Sequence, residues 1–173
     1  MDTKSVNHFN YLTVNEKDRE WGLFLTTCGY QSIPPSKVNP FLSIHPSVYG
    51  FNTKRGRILD EFQLLFIVSG SGSFESAHCQ RIQISAGTII LLFPGEWHNY
   101  SYNPDTGWDE YWVGFDGINV RNMMKSNFFT LAYPVFKIGI DDEFISFYKS
   151  IIEYAEREAS GYQQVASSIV RHM

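Results

Sequence analysis

A histidine stands at the start of a short polar strand, directly after a proline–glycine turn. In the segment GTIILLFPGEWHNY, residues 87–100, five apolar residues lead into the turn, and a tryptophan, a histidine and a tyrosine follow it. Side chains alternate between the two faces of a strand, so His98 and Tyr100 share one face. An imidazole and a phenol on one face can coordinate a metal ion, hydrogen-bond a small ligand or pack as interior residues.

The next polar strand, WDEYWVGF at residues 108–115, places a carboxyl group between two indoles. Alternation puts Trp108, Glu110 and Trp112 on one face. A carboxylate is costly to bury unless donors satisfy it. A ligand rich in hydroxyl groups supplies such donors, and its apolar C–H face can stack on a tryptophan. The pattern predicts a ligand site; the alternative, in which the indoles only fill a barrel and Glu110 faces solvent, stays open.

The residues around the turn resemble the second motif of cupin barrels, in which a glycine, a strand and a Pro/Gly turn lead to an inward-pointing histidine. The matching residues are Gly87, Pro94, Gly95 and His98. Metal-dependent cupins also carry a first motif with two histidines, but the corresponding region, 57–72, contains no histidine. One imidazole falls short of the three or four protein ligands that a transition metal takes. We expect no metal, no other cofactor and no catalytic residue here.

Short extended segments supply the strands that must position these side chains. The candidates are WGLFLTTCGY, LSIHPSVYGF, ILDEFQLLFIVSG, GSFESA, QRIQIS, GTIILLF, HNYSY and WDEYWVGF. Turn signals separate them at SGSG (69–72), FPGE (93–96) and NPDTG (103–107). Many short, closely spaced strands predict a sandwich or barrel rather than a parallel sheet.

Helical periodicity begins after the last of these strands. A short helix is predicted over 118–126, and a longer one begins with Asp141 or Asp142 as its N-cap. Gly161 breaks the second helix, and a third runs to the end of the sequence. Because that third helix has no terminating signal, we expect the chain to be a fragment of a longer protein. The predicted fold class is mainly β with C-terminal helices.

Composition narrows the class of protein. The net charge is −4, the isoelectric point is near 5.7 and the basic residues are scattered. Binding to phosphates needs a clustered basic surface, so the charge argues against DNA binding by this chain alone. The sequence has no signal peptide, no segment near the ~20 apolar residues of a membrane span, and two cysteines only. We expect a cytoplasmic protein that contacts no membrane.

Three segments together resemble the N-terminal effector-binding domain of AraC-type transcription regulators, the arabinose-responsive class. They are GRILDEFQLLFIVSGSGSFES, AGTIILLFPGEWHNY and GWDEYWVGFDG. The resemblance implies a cupin-like β-barrel, or jelly roll, over residues 1–116 and a helical dimerisation segment over 117–173. In whole regulators a helix-turn-helix domain follows. That domain is missing from this sequence, and the resemblance implies that DNA is bound only through it.

The resemblance also implies a site. In sugar-responsive members of the family a Trp stacks on the sugar, while an Arg, a Tyr and a His contact its hydroxyl groups. Carried onto this sequence, Trp112 takes the stacking position and Tyr100 matches the Tyr. Glu110 stands where the arabinose sensor has a His, so the identity of the sugar stays open. The Arg is Arg55 or Arg57, of which we select Arg57.

The sequence thus predicts the ligand-sensing and dimerisation part of a transcription regulator, with a small-molecule effector, a sugar or oligosaccharide, bound inside the barrel. The predicted ligand-binding residues are Trp112, Glu110, Tyr100, His98, Arg57 and Trp108. A homodimer is expected through apolar helical residues, from Phe144 to Ala155 or from Val165 to Val170. Two alternatives remain: a small cupin enzyme, either an isomerase or a dioxygenase, and a dimerisation module with a filled barrel.

Overall fold

The computed structural model describes residues 7–36 and 55–173. Its elements are β1 (His8–Tyr11), α1 (Glu16–Glu20), β2 (Phe24–Ile33), β3 (Phe62–Ser76), β4 (Ile82–Ser85), β5 (Thr88–Leu92), β6 (His98–Tyr102), β7 (Trp108–Asp116), α2 (Ile118–Lys125), β8 (Val135–Lys137), α3 (Asp142–Arg157) and α4 (Tyr162–His172). The prediction of a mainly β chain that ends in helices is confirmed. The strand expected at 42–51 lies outside the described residues.

The main sheet has the strand order β1-β2-β7-β3-β5-β8, and every neighbouring pair is antiparallel. The second half of β3 leaves this sheet and pairs with β4 and β6. One long strand is therefore shared by two sheet sections, and the space between them is the interior of the β-structure.

The predicted turn at 69–72 is wrong, because β3 runs through it without a break for 15 residues. A register shift between Ile67 and Ser69 opposite β7 marks a bulge, which lets the strand bend from one sheet section into the other. The glycines of this stretch permit close packing instead of a turn. A Cβ atom at Gly72 would lie 2.1 Å from the carbonyl oxygen of Ser101 on β6.

Alternate residues of the strands face two different apolar clusters. The interior cluster includes Leu65, Ile90 and Trp108. The outer cluster, which includes Phe66 and Val113, is covered by the helices. This two-sided burial explains why β5 reads as an unbroken apolar run, TIILL, with every residue buried.

The helices pack against the outer face of the main sheet. The hydroxyl of Tyr148 on α3 donates to the carbonyl of Leu64 on β3 at 3.0 Å. The side chain of Gln163 on α4 pairs with both backbone groups of Leu25 on β2, at 2.9 and 3.0 Å. Among the helices that the structure describes, none has the length and apolar character needed to cross a membrane.

The N-cap of α3 is Asp141, whose side chain accepts from the backbone N–H of Phe144 at 3.0 Å. The helix ends earlier than the break predicted at Gly161, because Glu158 adopts a left-handed conformation with φ of 44°. Gly161 instead precedes α4, also in the left-handed region. The turns at 93–96 and 103–107 and the short helix after β7 are confirmed.

Three elements were absent from the sequence prediction: β1, α1 and β8. The two strands have four and three residues, too few for alternation to be recognised, and both owe their conformation to pairing with β2 and β5. Helix α1 begins with a capping box, in which Asn15 and Asp18 exchange side-chain and backbone hydrogen bonds.

Candidate functional site

Strands β6 and β7 present polar and aromatic side chains to the interior. His98, Tyr100, Trp108 and Glu110 are 1%, 5%, 1% and 3% exposed. Each lies on the face predicted by alternation. Pairing of both strands with β3 brings these side chains to the same interior.

Arg57 connects the two ring-bearing residues of β6. Its backbone forms a two-bond bridge with that of His98, at 2.9 and 3.0 Å. Its side chain then donates through Nε to Nε2 of His98 at 3.2 Å and through Nη2 to the hydroxyl of Tyr100 at 3.0 Å. We call Arg57, His98 and Tyr100 the arginine network.

The two candidate arginines have different surroundings. Arg55 is exposed, and its contribution is a backbone carbonyl that accepts from Nε1 of Trp97 at 2.9 Å. Arg57 is the arginine whose guanidinium reaches the interior polar residues.

The hydrogen bonds define the protonation of His98. A guanidinium only donates, so Nε2 of His98 accepts from Arg57. The other ring nitrogen, Nδ1, donates to the carbonyl of Glu96 at 3.1 Å. Burial, and then the charge of Arg57, lower the pKa of His98 to about 3. The imidazole is therefore neutral at physiological pH, with one donor and one acceptor in fixed directions.

Glu110 is a buried carboxyl group with an unsatisfied oxygen. Burial raises its pKa to about 8, against the opposing influence of Arg57. Within the described part of the chain, Oε2 of Glu110 and Nε1 of Trp108 are both buried without a hydrogen-bond partner. Buried polar atoms normally have partners. This acceptor and this donor lie two residues apart on one strand and have their hydrogen-bonding capacity unused.

The two tryptophans of β7 have different surroundings. Trp108 is fully buried, and its ring stacks on that of Tyr100 with centroids 5.6 Å apart and an interplanar angle of 20°. Trp112 is half-buried and lies across β2 at Gly29, where a Cβ atom would come within 2.4 Å of the indole. The ring of Phe9 on β1 lies 5.5 Å from Trp112. Trp108 is therefore a packed residue of the interior cluster, whereas part of the Trp112 side chain remains exposed to solvent.

A second polar cluster adjoins the arginine network. Nη2 of Arg57 also donates to Oε1 of Gln63 at 3.5 Å. The amide of Gln63 donates to Oε1 of Glu61 at 2.7 Å, and the hydroxyl of Thr27 donates to the same oxygen at 3.2 Å. Gly114 leaves room for the cluster, since a Cβ atom there would lie 2.6 Å from Glu61.

The predicted site residues did not include Thr27, Glu61, Gln63 or Gln31. Gln31 is 2% exposed and lies opposite Glu110 in the sheet. The available signal was a polar residue at an inward position of an otherwise apolar strand, as with Gln63 in DEFQLLF. This signal can be used only when the inward face of the strand is known. In a strand with apolar residues on both faces, the sequence does not show which face is inward.

The described residues contain no group of three or more His, Cys, Asp or Glu side chains that could hold a metal ion. His78 lies near the surface, and its Nδ1 contacts the carboxylate of Glu96 at 2.9 Å. His45 lies outside the described residues. The ring nitrogens of His98 are instead hydrogen-bonded to the carbonyl of Glu96 and to the guanidinium of Arg57.

Comparison with known proteins gives a family and one regulatory relative. The family model described as AraC-like ligand binding domain matches residues 44–170. The raffinose operon transcriptional regulatory protein RafR of Pediococcus pentosaceus is 27% identical over 78 residues, which are 44% of this chain and 28% of that protein. The matched part is thus less than a third of the length of this curated relative.

Solved structures share part of the fold at low identity. YhaK from Escherichia coli has a TM-score of 0.43 at 15% identity, over 65% of this chain and 45% of that chain. A cupin protein from Bacteroides fragilis has a TM-score of 0.41 at 14% identity, over 67% and 80%. ToxT from Vibrio cholerae has a TM-score of 0.41 at 12% identity, over 57% and 41%.

Proposed function

The chain belongs to the family of AraC-like ligand-binding domains, and from this premise we propose that it senses a sugar or oligosaccharide bound inside the β-structure. In the whole regulator, the bound sugar would bias the arrangement of the helices and of a DNA-binding domain. The single observation that carries the proposal is the buried, unpartnered pair of Glu110 Oε2 and Trp108 Nε1 beside the arginine network.

The interior chemistry matches a polyhydroxylated ligand. A sugar hydroxyl both donates and accepts, so it can give a hydrogen bond to Glu110 and take one from Trp108. His98 and Tyr100 lie on β6, which pairs with β3 as β7 does, and Arg57 closes the site from the other side of β6. Trp112, which keeps partial exposure, offers an aromatic face for the C–H side of a sugar ring. The name of RafR, a regulator of a raffinose operon, adds support for a saccharide.

The proposed role is binding and not catalysis, within a cytoplasmic regulator. Coupling to DNA requires that the ligand bind one arrangement of the regulator better than another, typically by ~1–3 kcal/mol.

A thermal-shift screen of the 173-residue chain against mono- and oligosaccharides, including raffinose-type galactosides, tests the proposal. A ligand at 100 times its dissociation constant adds ~2.7 kcal/mol of stability, which raises Tm by about 5–10 °C for a domain of this size. The same screen on Trp112→Ala should show a smaller rise. Tyr133→Ala, which removes an aromatic side chain that is 77% exposed, serves as the control. No shift with any saccharide would favour a filled barrel.

We also propose a homodimer, with its contact on α4. Of the two stretches expected to pair, the one from Phe144 to Ala155 directs Ile151, Ile152 and Ala155 into the core of its own chain. On α4, Val165 is 43% exposed and lines a shallow groove with Trp21. Apolar side chains left exposed together favour pairing between copies.

A further inference from the structure

A cavity lies between the outer face of the main sheet and the C-terminal helices. Its volume is about 350 Å³, within the range of about 300–1,000 Å³ common for small-molecule pockets. Leu64 and Leu91 line it from β3 and β5, and Met123, Phe144 and Val170 line it from α2, α3 and α4.

The sheet separates this cavity from the proposed sugar site. Leu64 and Leu91 belong to the outer cluster, whereas their neighbours Leu65 and Leu92 belong to the interior cluster. Because side chains alternate along β3 and β5, the outer face of the sheet adjoins this cavity and the inner face adjoins the polar residues of the proposed sugar site. An occupant of the outer cavity does not contact Arg57.

The lining of the cavity is almost entirely apolar. Of 15 lining residues, 13 are apolar, and the two others are Asn119 and Arg171. Arg171 is exposed in the last turn of α4. Among the described residues, no carboxylate forms an ion pair with it. A guanidinium binds a carboxylate through two parallel N–H bonds, and an amide adds a further donor.

We propose that this cavity is a second effector site, which binds an amphipathic monocarboxylate with a medium-length alkyl chain. The chain lies against Leu64 and Leu91, and the carboxylate meets Arg171 and Asn119 at the rim. A saccharide does not suit this lining, because its hydroxyl groups would lose water without gaining partners.

Occupation of the cavity acts on the helices. Because α2, α3 and α4 all contribute to the lining, an occupant stabilises one packing of the three against the sheet. The site therefore acts on the same helices that the sugar is proposed to bias, from the opposite side of the sheet.

Calorimetric titration of the 173-residue chain with decanoate and with the neutral alcohol decanol tests the proposal. Decanoate is expected to bind saturably at one site, about two- to fivefold tighter than decanol, since an exposed ion pair contributes modestly. Arg171→Met should make the two affinities equal, whereas Lys149→Met, on an exposed position of α3 outside the lining, should leave both unchanged. Met123→Trp, which fills the cavity from a half-exposed position on α2, should weaken both ligands at least tenfold.

The outcomes against the proposal are equally definite. Absence of saturable decanoate binding overturns it, as does binding that Met123→Trp leaves intact in a folded variant. Equal affinity of the parent chain for decanoate and decanol removes the role of Arg171. Since Arg171 is exposed, its substitution tests the site even where Met123→Trp fails to fold. Trp112→Ala should leave decanoate affinity unchanged, and a parallel loss would place decanoate in the sugar site.

Discussion

At the scale of residues, one guanidinium group organises the interior. Arg57 donates to His98, Tyr100 and Gln63 from a single planar group, and it also opposes the rise in the pKa of Glu110. A lysine at this position would offer a point charge without this fork of donors. The network therefore holds the donors and acceptors of β6 in fixed directions before a ligand binds, which lowers the entropic cost of binding.

Two substitutions on β7 should separate affinity from specificity for the sugar. Trp112→Ala should weaken all bound sugars together, about three- to tenfold, because aromatic stacking contributes ~0.5–1.5 kcal/mol. Glu110→Gln should weaken the cognate sugar more than its epimers, by about two- to tenfold, since the carboxyl group is largely protonated at neutral pH and a hydrogen bond between neutral groups contributes ~0.5–1.5 kcal/mol. Calorimetric titration with the cognate sugar and one epimer measures both. Unchanged binding by Glu110→Gln would remove this residue from the site.

Glu110 and His98 should shape the dependence of stability on pH in opposite ways. Burial raises the pKa of Glu110 from 4.5 to about 8, so the folded state holds more protons than the unfolded state between these values and stability falls as pH rises. The pKa of His98 is lowered from 6.5 to about 3, so its contribution is lost as pH falls through that window. Each effect is of the order of a few kcal/mol.

Urea unfolding at pH 5 and pH 8 measures the Glu110 effect. The parent chain should be less stable at pH 8 than Glu110→Gln, whereas the difference should shrink or reverse near pH 5. Glu75→Gln, a change at a half-buried carboxyl group on β3, is the control. A parent and a Glu110→Gln variant with parallel pH profiles would show that Glu110 reaches solvent.

At the scale of elements, the pairing of β2 with β7 sets the position of Trp112, the proposed stacking residue. Gly29 lies opposite Trp112 in the antiparallel register. The absence of a side chain at Gly29 lets the indole extend over β2, where the ring of Phe9 also contacts it. A single glycine on one strand thus determines where the aromatic surface of its neighbour lies.

Gly29→Ala should displace Trp112 and reduce sugar affinity. The new Cβ atom would lie 2.2 Å from the carbonyl of His8 and 2.4 Å from the indole, so β1 and the ring must both move, at a cost of about 1–3 kcal/mol in stability. Gly87→Ala is the control, because the atoms nearest to its Cβ, from 2.6 Å, all belong to the backbone of Gly139 and not to a tryptophan. Both variants should lose stability, but only Gly29→Ala should change the fluorescence of Trp112. Equal spectra would contradict this account.

Sequence reasoning recovered the elements whose pattern is local. The buried run of β5, the alternation in β6 and β7 and the N-cap at Asp141 each depend on neighbouring residues along the chain. The continuity of β3 did not follow, because the glycines of SGSG are equally suited to a turn and to close packing against β6. The short strands β1 and β8 depend on partners far away in the sequence.

The residues of the candidate site were likewise predictable where a local pattern marked them. The inward faces of β6 and β7 gave His98, Tyr100, Trp108 and Glu110, because alternation is a local property. Alternation also gave Trp112, and the resemblance added its stacking role and an arginine. The backbone bridge to His98 and the hydrogen bonds of its guanidinium separate Arg57 from the exposed Arg55. The cluster of Thr27, Glu61 and Gln63 spans two strands that are distant in the sequence, so no local pattern could assemble it.

At the scale of the whole molecule, the helices divide their apolar residues between the core and the surface. Helix α3 buries Tyr148, Ile151 and Ile152 against the sheet, while α4 leaves Val165 exposed next to Phe147 and Ile169 of the shallow groove. This asymmetry is the physical basis of the proposed dimer.

Val165→Glu should convert the proposed dimer to a monomer at tens of micromolar. A carboxylate at the symmetric contact would be desolvated and would face its own copy, which disfavours association. Sedimentation velocity measures the change. Ile140→Glu, at an apolar residue that is 54% exposed and is not part of the groove lining, should leave the oligomeric state unchanged. A parent chain that sediments as a monomer would remove the proposed interface.

The pairing of β2 with β7 also has a consequence for synthesis on the ribosome. Phe24 pairs with Asp116 and Ile33 with Trp108, so the partner of β2 is translated roughly 75 to 90 residues later. At about 5–20 residues per second, β2, which carries Phe24, Leu25 and Ile33, waits for several seconds with one edge unpaired, and unpaired edges with apolar side chains recruit other chains. Nascent chains stalled before β7 has emerged from the ribosome should therefore bind chaperones or aggregate, and stalling only after β7 has emerged should relieve both.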